Sequence, residues 1–184
     1  MTTESKLMPA VATTSTALVV MGVSGCGKST LAEALAARMG AVLVEGDAHH
    51  PAGSIAKLSS GVPLDDVDRW PWLDSIAHQI RKERESGKLV IATCSALKKS
   101  YRDRLRSTVG PGLTFLFLRL GQSQLKTRLA ARQGHFMSRA LLASQLSTLE
   151  DPRAEPDVIE IDGSLPTQQQ IGRFELWRER EGGV

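Results

Sequence analysis

Cysteine is scarce in this 184-residue chain: Cys26 and Cys94 stand far apart with no C-x-x-C spacing. That argues against a disulfide framework or a zinc site and fits a reducing compartment, where both thiols read as small packing residues. Aromatic residues make up only 4%, with four Phe, three Trp and one Tyr, which leaves little for stacking nucleic-acid bases. Neither sign of charge dominates, since 23 Lys and Arg face 20 Asp and Glu for a net charge of +3. The basic residues are spread along the chain rather than gathered in a stripe, so anionic small molecules are expected as partners and nucleic acid is not. No apolar run is long enough to span a membrane; residues 17–23 come nearest and lead straight into glycines. Residues 1–16, rich in Ser, Thr and Ala, lack a long apolar core with a processing site and read as a flexible tail. The expectation is a cytoplasmic protein with no membrane partner.

Hydrophobic residues at 41% and charged residues at 23% are close to the globular average. The length suits one domain, here residues 17–181. "ALVVMGV" (17–23) is the unbroken, β-branched run of a strand buried on both faces, and "KSTLAEALAARMG" after it has helical spacing and a terminal glycine. The alternation continues. Strands are predicted at "AVLVEGD" (41–47), "KLVIATC" (88–94), "LTFLFLRL" (113–120) and "DVIEID" (157–162), and helices at residues 73–87, 97–110, 123–133 and 167–180. Residues 49–72 read as a polar, Pro-containing passage on the active face, and 135–152 as a lid-like helical segment closed by Pro152. The prediction is an α/β fold: a doubly wound, parallel, five-stranded sheet with a small helical lid over about residues 128–150.

Residues 22–29, "GVSGCGKS", match G-x-x-x-x-G-K-[ST] at every fixed position, between a predicted strand and a predicted helix. In such a loop Gly22, Ser24, Gly25, Cys26, Gly27 and Thr30 surround the phosphates with backbone groups. Lys28 supplies a point charge to the terminal phosphates, and the Ser29 hydroxyl is the candidate magnesium ligand. ATP and Mg2+ are therefore the expected cofactors. The motif alone does not choose among GTPases, motors and small-molecule kinases. There is no N-K-x-D stretch for guanine and no second basic domain for a motor, and the size and layout match small kinases of the nucleoside-monophosphate-kinase type.

Further stretches carry a family resemblance: "GDAHHP", "SIAKLSSGVPLDDVDRWPWL", "CSALKKSYRDRLR", "RLAARQGHF" and "SQLSTLEDP" occur in order over about residues 18–162. The chain resembles the small P-loop gluconate kinases. Leu58 and Leu146 stand where Met or Phe is usual, a difference of packing. The resemblance implies ATP-dependent phosphorylation of gluconate and a homodimer. It leaves a kinase of another hydroxy acid, such as shikimate, and a non-catalytic nucleotide-binding module as alternatives; "CSALKK" replaces the glycine-rich stretch expected of the former.

A sugar acid needs cations for its carboxylate and polar groups for its hydroxyls. The candidates are Asp47, His50, Lys57, Arg69, Lys98, Arg102 and His135. Asp47, at the end of the second strand, is the choice for the group that accepts the hydroxyl proton, and a turn cap is its plainer reading. His50 before Pro51 also suits a turn, Arg69 beside Trp70 suits stacking, and Arg102 suits an acidic neighbour. His135, with Phe136, also fits lid packing. Lys98 opens a helix, where a cation is unfavourable unless an anion is near. Arg128 and Arg132, four apart on one helix face, could clamp the triphosphate on lid closure, and Arg132 joins Lys28 and Asp47 as a catalytic candidate.

Overall fold

The computed structural model describes residues 16–131 and 139–180. Five parallel strands, β1 (Ala17–Met21), β2 (Val42–Val44), β3 (Val90–Cys94), β4 (Leu113–Arg119) and β5 (Val158–Asp162), lie in the order β2-β3-β1-β4-β5. Helices α1 (Lys28–Met39), α2 (Ala52–Ser59), α3 (Asp66–Glu85), α4 (Lys99–Val109), α5 (Gln122–Ala131), α6 (Arg139–Thr148) and α7 (Thr167–Arg180) join and flank them.

The strands are apolar at successive positions because both faces of the sheet are covered. Along β1, Ala17, Val19 and Met21 pack with Leu73, Ile76 and Ile80 of α3 and Leu105 of α4. The alternate residues Leu18 and Val20 pack with Leu31 and Leu35 of α1 and Ile171 and Phe174 of α7. Burying each large side chain of this kind contributes about 1.5–3 kcal/mol, so β1 is firmly held. Because β1 is central, with β3 on one side and β4 on the other, the loop that leaves it opens into the crevice where an open α/β sheet reverses strand order.

Three segments differ from the sequence-based expectation. The second strand stops at Val44, and Gly46–His49 form a 3-10 turn, so Asp47 lies on that turn rather than in the strand. The active-face passage contains α2, and α3 begins at Asp66, well before residue 73. A capping box explains the early start: the Asp65 side chain accepts the Asp68 N–H at 2.9 Å while the Asp68 side chain accepts the Asp65 N–H at 3.2 Å. Pro71 sits inside this helix, where its missing N–H falls opposite the carbonyl of exposed Val67. The segment expected to form a lid contains the end of α5 and all of α6; Arg132 and His135 lie outside the described residues.

Candidate active site

The C-terminal ends of β1, β2 and β3 carry the phosphate loop, the Asp47 turn and the Ser95–Lys98 turn. In the phosphate loop Gly22, Gly25 and Gly27 adopt φ of 138°, 82° and 109°, a region closed to most side chains, and Gly27 caps α1. At Gly22 a Cβ would also come within 2.8 Å of the Leu118 carbonyl oxygen. The Lys28 ammonium donates to the Val23 carbonyl at 3.2 Å, folded back over the loop it serves. The loop is tied to its neighbour by Gly22 N–H to Ser95 O at 3.4 Å.

A cavity of about 380 Å³ opens beside the loop, lined by Cys26, Gly27, Thr30, Arg128 and the stretch from Ser164 to Thr167. Arg128 closes one wall, donating to Cys26 O at 3.0 Å and to Gly163 O at 2.8 Å. Among the described residues no group of three or more His, Cys, Asp and Glu could hold a metal ion. Ser29, in the first turn of α1, has a hydroxyl that could serve a metal ion.

On the acceptor side, His50 stacks on Trp72 with ring centroids 4.4 Å apart. Its Nδ1 is buried with no hydrogen-bond partner among the described residues. Burial holds the His50 pKa below the ordinary imidazole value, with Asp47 opposing and Arg69 adding to the effect. Burial pushes the Cys94 thiol up to about 12, with Lys28 and Arg69 opposing and Asp47 adding to the effect. Burial raises the Cys26 thiol as well, so neither cysteine is a nucleophile at neutral pH.

Arg69 is buried, with its Nε donating to Leu64 O at 3.3 Å and its guanidinium 5.8 Å from the Tyr101 ring centre. Lys98 caps α4, and its ammonium is shared with Asp66 at 2.7 and 2.9 Å, an acid that Tyr101 OH also contacts. Lys57 is exposed and paired with Asp68 at 2.6 Å, which joins α2 to α3.

Arg102 requires a correction. Instead of facing an acceptor, it is 0% exposed, bonded through Nε to Glu155 at 3.0 and 3.1 Å and through Nη1 to Ala96 O and Leu97 O at 2.9 and 3.1 Å. It shapes the turn before Lys98, where Ala96 holds a left-handed φ of 43°. The acidic partner lies 53 residues away in sequence and is invisible to local spacing.

Three contributors escaped the sequence reading. Trp72 donates to Gly46 O at 2.7 Å, Thr93 accepts the Gly46 N–H at 2.9 Å, and Gln145 accepts the Ser24 N–H at 2.7 Å. Gln145 and Trp72 fall inside stretches that carry the family resemblance, the only signal that marked them.

A family model described as an AAA domain matches residues 18–152. The gluconokinase of Gluconobacter oxydans is 47% identical over 79% of this chain and 82% of its own. The thermoresistant gluconokinase of Escherichia coli is 41% identical over 82% of this chain and 86% of its own. A crystal structure of a gluconokinase from Sinorhizobium meliloti superposes with a TM-score of 0.77 at 43% identity, covering 90% of this chain and 97% of that one. With these matches and a phosphate loop intact at every fixed position, the chain belongs to the gluconokinase family of P-loop kinases.

Proposed function

We propose that this protein transfers the γ-phosphate of ATP to the 6-hydroxyl of D-gluconate, giving 6-phospho-D-gluconate and ADP. The observation that carries the reading is the intact phosphate loop, with Lys28 folded over it and the Asp47 turn at the same end of the sheet, in a chain 47% identical to a gluconokinase. Asp47 accepts the hydroxyl proton as the O6–P bond forms and the bond from phosphorus to the bridging oxygen of ADP breaks. Lys28 swings from Val23 O to the terminal phosphates and stabilises the charge that develops there. Ser29 would hold the magnesium ion, which would supply charge neutralisation at the phosphates.

The acceptor carboxylate needs a cation. Arg69 and Lys98 are supported by their place beside Tyr101, and the unpartnered Nδ1 of His50 suits a substrate hydroxyl. Arg128 is supported as a nucleotide-side residue by its bridge between the loop and Gly163. The family resemblance supports Arg132 as a second lid arginine, a lid over residues 128–150, a homodimer, and a cytoplasmic place in gluconate use that feeds the pentose phosphate route. Light scattering measures the dimer. Among the described residues no helix is long and apolar enough to cross a membrane.

A coupled ADP-release assay tests the reaction. Gluconate-dependent release is expected, and Asp47→Ala is expected to reduce it by orders of magnitude with the thermal midpoint preserved. Release that depends on shikimate instead, or tight ATP binding with no release, would overturn the substrate or the activity. Near-normal turnover in Asp47→Ala would overturn the base.

A further inference from the structure

The phosphate loop is restrained from a distant part of the chain. The N–H of Ser24 donates to Oε1 of Gln145, 121 residues later, at 2.7 Å. Because the partner is a donor, the Gln145 amide must present its oxygen, so the orientation of this side chain is set. Ser24 stands between Val23, whose carbonyl takes the Lys28 ammonium, and Gly25 at a φ of 82°. Glycine has no side chain to lock that bend, so a polar tie on the adjoining residue limits the conformations open to the loop.

The tie is useful only if its other end is firm. Leu142 of α6 is 3% exposed and shares a core cluster with Val23, Cys26 and Leu125. Leu141, one residue earlier, packs with Leu58 and Leu64 beneath the acceptor side. Beyond the helix, Glu150 donates its N–H to Leu97 O at 2.9 Å and accepts the Lys99 N–H at 2.6 Å. Gln145 therefore projects from a helix held at the nucleotide loop and at the start of α4.

We propose that Gln145 is a positioning residue for the nucleotide: its Oε1 holds the outer rim of the phosphate loop, through Ser24, in the curvature that receives the triphosphate. This rests on the reading that ATP occupies that loop. Loss of the acceptor frees the loop, and ATP must then order it on binding.

The test compares Gln145→Met, nearly isosteric but without an acceptor, with Gln145→Glu, which keeps an acceptor and adds a charge. Affinity for a non-hydrolysable ATP analogue, KM for ATP and for gluconate, and the thermal midpoint are measured for each. In Gln145→Met the analogue is expected to bind about tenfold more weakly, the scale of one N–H deprived of its partner. KM for ATP rises in step while KM for gluconate and the midpoint stay unchanged. Gln145→Glu keeps the loop ordered but repels the phosphates, so its deficit shrinks as salt rises. The Gln145→Met deficit does not. Wild-type analogue affinity in Gln145→Met overturns the proposal. So does an equal loss of ATP and gluconate affinity with a lowered midpoint, which would mark a merely structural bond. Failure of the unaltered enzyme to bind the analogue would instead remove the nucleotide reading itself.

Discussion

Trp72 donates its indole N–H to the carbonyl oxygen of Gly46 at 2.7 Å, which fixes the peptide that leads directly into Asp47. The preceding N–H, that of Gly46, goes to the Thr93 hydroxyl at 2.9 Å. A Cβ on Gly46 would lie 2.0 Å from the Thr93 carbonyl oxygen, a backbone atom that cannot turn aside. Gly46→Ala is therefore expected to cost about 3 kcal/mol in a urea titration and to abolish most turnover, because the displaced segment carries Asp47. Trp72→Phe keeps most of the ring and orphans the carbonyl, at a cost of about 1–3 kcal/mol.

Lys28 makes one contact with the Val23 carbonyl, at 3.2 Å, that a fold can do without. Lys28→Met should leave the thermal midpoint within a degree or two and lower kcat about 100- to 1000-fold, the usual effect of removing one group that stabilises transition-state charge. Steady-state kinetics with saturating gluconate measure it.

Arg102 separates stability from catalysis. It is fully buried against Glu155, itself 12% exposed, and its removal leaves that carboxylate to Arg106 alone and takes a donor from the Ala96 and Leu97 carbonyls. Arg102→Met is expected to destabilise the protein by about 1–3 kcal/mol. KM for gluconate in the folded fraction should stay unchanged; a large rise would return Arg102 to the acceptor site.

His50 gives stability a pH dependence with a definite sign. Burial holds its folded-state pKa below the ordinary value of about 6.5. Above that value the ring is neutral in both states and its contribution is fully present. As the pH falls, the unfolded chain takes up a proton that the folded protein resists, and stability is lost down through the folded-state pKa. Urea titrations at pH 7.5 and 5.5 should show this loss, and His50→Phe, which preserves stacking on Trp72, should diminish it.

The phosphate loop and the sheet were legible because their signals are local. A buried parallel strand must be apolar at consecutive positions, as β1 is. A loop that wraps phosphate needs glycines at fixed places, and all three adopt positive φ. The start of α3 was missed because Pro71 reads as a helix stop, whereas the capping box at Asp65 and Asp68 lets the helix begin before it.

The cations of the proposed acceptor side were visible in the sequence, and what each is paired with was not. Arg69, Lys98 and Arg102 are equivalent cations in a sequence. Their roles diverge because Glu155 lies under Arg102, Asp66 beside Lys98 and Tyr101 below Arg69. By itself the sequence determined the strand order's raw material, the phosphate chemistry and the family, since each depends on residues close together in the chain. Only the tertiary structure decided which cation is buried in an ion pair, why Asp47 sits on a turn, and that Gln145 reaches Ser24. Those outcomes depend on charge pairing, steric contact and hydrogen bonding between segments that the fold brings together across dozens of residues, and no local spacing encodes them.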